Sequence, residues 1–241
     1  MGLFDIFKKK EKANVTPAPT IVNSVQEVRE VDLPPMAGVL NLSKSNVLNL
    51  SKNSVLNLSK VDDSNVTDLD FGCGWMAAKP GSPNIDIDLS AASFDSNGRF
   101  LAMTYFGNKN GVRGVTSVFG DNTTGEDSTK RYKGKTTSDD EMLAIDFSKI
   151  ESSVEKVVIF ANIYSASSRG QHFGQMKNAY VNVYVNGFDK VSEFKLDNFD
   201  KVTGVILVEF YPKTKTFKTI GKGKAIFSVS LAERGYNTLM N

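Results

Sequence analysis

The sequence contains one cysteine, one histidine and one tryptophan, and it has no long hydrophobic run. A single cysteine excludes a disulfide framework and a thiolate metal cluster within the chain, and it fits a reducing compartment. No segment approaches the roughly 20 apolar residues of a membrane-spanning helix. The apolar start of the chain precedes its lysines, which is the reverse of the order in a secretory signal. We therefore expect a cytoplasmic protein.

The scarcity of nucleophiles and imidazoles also limits the chemistry. A nucleophile–base pair would require Cys73 and His172 to meet, and a zinc site would lack a second imidazole or thiol. The GKGK segment at 221–224 lacks the spacing of a phosphate-binding loop and the hydroxyl residue that follows one, so we interpret it as a solvated turn before the last helix. These observations predict a protein that is not an enzyme.

The charges nearly balance, with 29 Lys and Arg against 27 Asp and Glu. A chain near neutrality has no global field to attract nucleic acid or an anionic membrane. Arg131, Tyr132 and Lys133 form a basic segment suited to an anionic partner, but this is far short of a nucleic-acid footprint. We therefore expect no nucleic-acid partner.

The first 36 residues differ in composition from the rest of the chain. Residues 1–12 have the pattern of a short amphipathic helix with lysines at its end, suited either to docking on a protein or a membrane surface or to a frayed start. The following segment contains four prolines among polar and β-branched residues, which is typical of an extended linker. Residues 1–36 are therefore predicted to form an N-terminal arm.

An internal repeat follows the arm. The six-residue sequence VLNLSK occurs at 39–44, 47–52 and 55–60, so its period is eight residues. An even period keeps the leucines of all three copies on one face of a strand. Three copies are too few for an independent solenoid, and we expect them to add strands to the following sheet or to pair with another subunit. Protein partners or self-assembly are accordingly expected through residues 1–60.

The remainder of the chain consists of short strand patterns separated by turns. The sequence SNG at 96–98 predicts a hairpin, and residues 225–234, followed by Gly235, predict one closing helix. This pattern indicates an all-β domain over residues 37–241, a two-sheet β-sandwich that begins with the repeat strands at 37–60 and ends in a short helix. The predicted strands lie at 66–71, 85–94, 100–106, 115–119, 142–147, 157–164, 179–185, 192–196, 203–211 and 216–220.

Acidic residues concentrate in two loop segments, GDNTTGED at 120–127 and SDDE at 138–141. A hard divalent cation such as Ca²⁺ takes six to eight oxygen ligands from a flexible loop, although a solvated acidic turn has the same composition. The spacing differs from that of an EF-hand. In the segment at 84–90 the period of two places Asp86, Asp88 and Ser90 on one face of a strand, which makes them further oxygen ligands.

Five motifs together resemble the TerD family, the tellurium-resistance and general-stress domain of bacteria. They follow the order of the family over residues 47–241. LNLSK is similar to the family's opening strand, GCGW to its Gly-Leu-Gly-Trp, and IDIDLSA to its Phe-Asp-Leu-Asp-Ala-Ser. GDNTTGE with DDE is similar to its acidic loops, and FGQMKNAY to its Phe-Gly-Gln-Val-x-Asn-Ala-Phe. In this chain they lie at 56–60, 72–75, 85–91, 120–126 with 139–141, and 173–180.

The resemblance implies a β-sandwich of TerD type that binds Ca²⁺ through its acidic loops. Met76 stands where the family has an Asp after its Trp, and a basic insertion extends the acidic loop over 127–138. Its cations oppose metal binding if they fold over the site, or they project as a separate finger. The residues expected to supply metal ligands are Asp86, Asp88, Asp121, Asn122, Glu126, Asp139, Asp140 and Glu141.

Two functions fit these observations. The first is a calcium-binding, non-catalytic module of stress or tellurite resistance that acts as an interaction scaffold. The second is a structural protein of a large assembly, such as a bacteriophage virion or tail or a contractile apparatus, because the arm and the repeat strands supply a docking peptide and pairing edges. Tellurite resistance enters only through the family resemblance.

Overall fold

A computed structural model describes residues 39–43, 46–49, 55–58, 66–77, 84–125 and 129–241. The predicted arm over 1–36, including the amphipathic segment 1–12, lies outside these residues. The strands are, in chain order, β1 (Val39–Ser43), β2 (Asn46–Asn49), β3 (Val55–Asn57), β4 (Asp68–Ala77), β5 (Ile87–Phe94), β6 (Phe100–Thr104), β7 (Val115–Ser117), β8 (Lys130–Tyr132), β9 (Lys135–Thr137), β10 (Glu141–Asp146), β11 (Lys156–Ile163), β12 (Met176–Val185), β13 (Asp189–Lys195), β14 (Gly204–Tyr211) and β15 (Thr216–Lys224).

Two antiparallel sheets form the fold. One has five strands in the order β13-β12-β4-β10-β7, and the other has six in the order β3-β15-β14-β11-β5-β6. The hairpins β1-β2 and β8-β9 form two further small sheets. One hydrophobic core takes side chains from both large sheets, including Phe71 of β4 and Phe217 of β15, whose rings stack 6.3 Å apart. The predicted two-sheet β-sandwich is confirmed.

The central strands of the six-stranded sheet, β5, β11 and β14, are buried on both faces. In β5 every residue is buried, because Ile87, Leu89 and Ala91 enter the core between the sheets while Ala92 and Phe94 belong to a second cluster on the outer face. The alternation of strand side chains divides these residues between the two faces. The C-terminal segment covers the outer face, since Phe227, Ala232 and Leu239 complete the second cluster.

The C-terminal segment differs from its prediction. Strand β15 continues to Lys224, so residues 221–224 are part of the sheet rather than a solvated turn, and they pair with β14 up to Gly204. The single helix predicted over 225–234 is wrong in extent, because helix begins only at α2 (Ser230–Glu233). Gly235, at φ 105, separates α2 from α3 (Tyr236–Met240). The apolar residues that suggested one helix instead reach the sheet from an irregular segment.

The repeat strands have two destinations. Strands β1 and β2, from the first two copies, pair with each other, whereas β3 from the third copy pairs with β15 and extends the six-stranded sheet. The hairpin predicted at 96–98 is also present, because β5 and β6 pair around a turn in which the Gly98 amide donates to the Asp95 carbonyl at 3.0 Å. Among the described residues, no helix is both long and apolar enough to cross a bilayer.

Candidate metal centre

Three carboxylates from two separate segments meet at the start of β5. Asp86 and Asp88 belong to that segment, and Asp121 comes from the loop after β7. One oxygen of each lies within 4.8 Å of the others. The sequence placed Asp86 and Asp88 on one face of a strand, and the fold brings Asp121 to that face. Three carboxylates at this separation repel one another unless a cation or protons lie between them.

The buried oxygens of this cluster are not fully hydrogen-bonded. Asp86 and Asp88 are 6% and 2% exposed, and the Oδ1 atom of each has no hydrogen-bond partner among the described residues. Burial, and secondarily the charge of Asp121, raises the pKa of Asp86 to about 6. Burial, followed by the charges of Asp86 and Asp121, raises the pKa of Asp88 to about 7. A bound cation would supply a partner to the buried oxygens that lack a hydrogen-bond donor. It would also lower the raised pKa values of these carboxyls.

Glu141, the first residue of β10, adds a fourth carboxylate. Its Oε2 atom accepts a hydrogen bond from the Leu89 amide of β5 at 2.7 Å, which links the two sheets. Burial raises the pKa of Glu141 well above its ordinary value, and the charges of Asp88, Asp121 and Asp86 raise it further, against the lowering effect of the Leu89 amide. The charge of Glu141 therefore acts on the same carboxylates as the triad.

Asn122 and Asp140 shape the loop beside the carboxylates. The Asn122 side-chain oxygen accepts from the amides of Thr124 and Gly125 at 3.0 and 3.1 Å, which closes a tight turn. The Asn122 amide group donates to Asp140 at 2.6 Å. The other oxygen of Asp140 accepts from the Trp75 amide at 3.3 Å. These contacts connect the acidic loop to β4 and hold it near the triad.

Trp75 packs against the acidic loop. Its side chain is 3% exposed, and its indole N–H donates to the Ile85 carbonyl at 2.7 Å. Gly125 lies against it at φ 63, in the left-handed region, and a Cβ there would come within 2.4 Å of the indole ring. Trp75 belongs to the hydrophobic core, and its contacts place it at the base of the acidic loop. Met76, where the family pattern has an Asp, is 43% exposed.

Asp139 has a different environment from its two acidic neighbours. Its carboxylate accepts hydrogen bonds from the hydroxyls of Thr137 and Tyr184, both at 2.7 Å, and from the Asn182 amide group at 3.0 Å. A Cβ on Gly72 would come within 2.1 Å of the same carboxylate. Asp139 is thus fully engaged in a polar network on the outer face of the five-stranded sheet. The eighth expected ligand, Glu126, lies outside the described residues.

The basic insertion folds onto the sandwich as the hairpin β8-β9, which the sequence did not predict. Lys133 contacts Asp68 and Asp70 of β4 at 2.5 and 2.7 Å, and Lys135 contacts Asp189 at 2.5 Å. Lys130 donates to the carbonyls of Asp139 and Asp140, and its nitrogen lies 3.8 Å from the Asp140 carboxylate. All three lysines therefore contact acids outside the triad.

Lys133 supports a fully buried carboxylate. Asp70 is 0% exposed, and burial raises its pKa against the hydrogen bonds from Lys133 and Tyr132. We expect Lys133→Met to lower the free energy of unfolding by about 2 kcal/mol, because it leaves the Asp70 charge buried without its cation. Urea unfolding at pH 7 measures this.

The matched control is Lys135→Met in the same hairpin. The side chains of Lys135 and Asp189 are 50% and 70% exposed, so their ion pair should contribute less than about 0.5 kcal/mol. Equal effects of the two substitutions would contradict the assignment of Lys133 as the partner of a buried charge.

Asn162 is a polar residue of the site that the sequence analysis missed. Its amide group donates to Asp88 at 3.3 Å, while its own Oδ1 atom is buried without a partner among the described residues. Both residues line a cleft of about 440 Å³ whose walls include Tyr105, Phe106 and Tyr164. The available signal was a single amide in the otherwise apolar strand KVVIFANI. The cleft gives Asp88 a route to solvent.

His172 and Cys73 occupy unrelated structural positions. The Nδ1 atom of His172 accepts from the Lys201 amide at 3.2 Å in a loop. Cys73 lies in β4 and is 0% exposed. Burial, reinforced by the charge of Glu141, raises the pKa of its thiol well above the ordinary value.

Comparisons with known proteins agree with this architecture. The chain is 33% identical over 175 residues to the uncharacterized protein YceE of Bacillus subtilis (strain 168), an alignment that covers 69% of this chain and 85% of that protein. It is 32% identical to the stress response protein SCP2 of the same organism, over 59% of this chain and 70% of that protein. It is 28% identical to the tellurium resistance protein TerD of Serratia marcescens, over 64% and 79%.

A solved structure shows the same fold. It belongs to a homologue of the telluride resistance protein TerD from Streptomyces coelicolor A3(2), with a TM-score of 0.55 and 15% identity over 70% of this chain and 96% of that one. The family model for the TerD domain matches residues 47–232. That match covers both large sheets and the acidic loops, and the chain therefore belongs to the TerD family.

Proposed function

We propose that this chain is a calcium-binding, non-catalytic module of the TerD family, with Asp86, Asp88, Asp121 and Glu141 as the side chains that hold the ion. The observation that carries the proposal is the meeting of three carboxylates within 4.8 Å, two of them with a buried oxygen that has no hydrogen-bond partner among the described residues. Oxygen-only donors suit a hard cation such as Ca²⁺. Asn122 and Asp140 would then support the loop, while Asp139 remains in its own network.

The ion would act on stability and order. It cancels the repulsion among the carboxylates, and it joins the start of β5 to the loop after β7 and, through Glu141, to the other sheet. A loop ordered in this way can present a defined surface to protein partners, which is the scaffold role we assign to the module. The names of relatives, a stress response protein and a tellurium resistance protein, support a role in stress or tellurite resistance. We propose that this role is exercised in the cytoplasm, where a chain with a single cysteine is at home.

Thermal unfolding in calcium and in chelator tests the proposal. Because the ion binds the folded state, a hundredfold excess over the dissociation constant should add about 2.7 kcal/mol to the free energy of unfolding. For a domain of this size that corresponds to a Tm increase of roughly 5–10 °C. The fluorescence of Trp75, the one tryptophan of the chain, should change over the same calcium range.

Mg²⁺ serves as the control cation, because its small octahedral shell is less suited to a flexible carboxylate site. We expect it to give a smaller shift at equal concentration, and calorimetric titration gives the number of ions. Identical melting curves in calcium and in chelator would disprove the calcium proposal and leave the fold and family assignment intact.

A further inference from the structure

The edge of β15 opposite β14 pairs with β3, which comes from the third copy of the repeat. Strand β3 pairs with it in the register Val55 to Lys218, and the Leu58 amide donates to the Lys215 carbonyl at 2.8 Å. Leu58 itself is 1% exposed and belongs to the core between the two large sheets. We call this place, made by residues 215–218 and the core position of Leu58, the β15 slot. It recognises an extended backbone and one buried leucine.

The six-residue sequence that contains β3 and Leu58 occurs twice more in the chain. Copies one and two, at 39–44 and 47–52, are identical in sequence to copy three at 55–60. Leu42 and Leu50 are therefore the counterparts of Leu58. Strands β1 and β2 from the spare copies pair with each other, in the register Leu40 to Leu48. This pairing satisfies edges that would otherwise be open to other chains.

We propose that the β15 slot is a binding site for the VLNLSK strand of its own chain and that the three copies exchange within it. Identical side chains make identical contacts, so the copies differ in the slot only through their flanking residues and the length of the connector to β4. A tethered strand has an effective concentration in the millimolar range. At micromolar protein concentration the occupant therefore comes from the same molecule rather than from a second copy.

Connector length sets the order of preference. Residues 59–67 connect Leu58 to β4, residues 51–67 would connect Leu50, and residues 43–67 would connect Leu42. Each doubling of a flexible connector lowers the probability of closure about threefold. Copy three should therefore be preferred, with copy two about threefold and copy one about fivefold less favourable. These differences in slot occupancy are small compared with the loss of stability caused by removing the buried leucine.

Exchange would change the reach of the N-terminal arm. When copy two replaces copy three in the slot, the part of the chain N-terminal to the slot becomes eight residues shorter. When copy one replaces it, that part becomes sixteen residues shorter. Eight fully extended residues span roughly 26 Å, which is the upper bound on the change in reach at each step. The repeat would thus adjust the distance between the domain and whatever the arm contacts, without altering the domain.

Substitution of the leucines in the full-length chain tests the exchange. Leu58→Asp alone should lower the folding equilibrium constant only about threefold, because copy two takes the slot. Leu58→Asp combined with Leu50→Asp should lower it about fivefold, and the triple variant with Leu42→Asp about 100-fold, as for the loss of a core leucine. The control is Leu42→Asp with Leu50→Asp, which should have no effect. If Leu58→Asp alone is as damaging as the triple variant, exchange is excluded.

Disulfide trapping identifies the occupant directly. Lys218→Cys is combined with Val55→Cys or with Val47→Cys, its counterpart in copy two, while Cys73 stays buried. We expect cross-linked monomers from both pairs, and faster trapping of the Val47 pair once Leu58→Asp is added. Trapping of the Val55 pair alone, or disulfide-linked dimers in place of monomers, would overturn the proposal. Neither experiment depends on calcium.

Discussion

Replacing Asp88 with asparagine is expected to abolish the calcium-dependent rise in Tm and, in chelator at pH 8, to make the protein more stable than the wild type. Asp88 is 2% exposed, and its pKa of about 7 lies above the value of about 3.9 for an unfolded chain. A raised carboxyl pKa contributes stability that is present below pH 4 and is lost as the pH rises through 7. At pH 8 the loss amounts to roughly 4 kcal/mol, and asparagine does not incur it.

Thermal melts from pH 5.5 to 8.5, each in calcium and in chelator, measure this prediction. The wild type in chelator should gain stability as the pH falls through 7 and 6, because protons replace the ion on Asp88 and Asp86. The calcium shift should be largest at high pH, where protons do not compete. Asp189→Asn, at an acid whose side chain is 70% exposed, is the control and should retain the full shift. An undiminished calcium shift in Asp88→Asn would show that the ion binds elsewhere.

Two glycines of the acidic loop are expected to differ in their tolerance of alanine. Gly125→Ala should lower the free energy of unfolding by about 3 kcal/mol. It places a side chain at φ 63, and its Cβ would lie 2.4 Å from the Trp75 ring and 2.7 Å from the Trp75 carbonyl. Gly120→Ala should change stability by less than about 0.5 kcal/mol, because no atom lies within 4 Å of its Cβ position. Urea unfolding of both variants gives the comparison.

Trp75 emission separates local from global effects in these variants. In Gly125→Ala the loop must move off the indole, so the emission should shift and the calcium midpoint should rise. Gly120→Ala should match the wild type in both. If Gly125→Ala were as stable as Gly120→Ala, the packing of the acidic loop on Trp75 would be wrong.

The fold was predictable where the signal is local. Alternation of side chains located the strands of both sheets, and the SNG sequence located a hairpin. The hairpin β8-β9 was not predictable in this way, because its position depends on the pairing of Lys133 with Asp70, 63 residues away in the sequence. The GKGK composition of 221–224 suggests a turn, although these residues extend β15. Residues 225–229 have the apolar composition of a helix, but they form an irregular segment before α2.

The candidate site was predictable as a set of segments but not as a set of contacts. Asp139, Asp140 and Glu141 are consecutive, yet their carboxylates have three destinations. Asp139 accepts a hydrogen bond from the Tyr184 hydroxyl, Asp140 accepts one from the Trp75 amide, and Glu141 accepts one from the Leu89 amide. The direction of each side chain depends on how the backbone enters β10, which the acidic pattern does not reveal.

The hydrogen bond from the Leu89 amide to Glu141 has a consequence for hydrogen exchange. Most strand amides are protected by a neighbour in their own sheet, and they exchange when that sheet frays. The Leu89 amide is protected by a carboxylate of the opposite sheet, and β6 begins to pair with β5 only at Ala91. The rate of deuterium uptake at the Leu89 amide therefore measures how often the two sheets separate at this end of the sandwich. It does so even when the hydrogen bonds within each sheet stay intact.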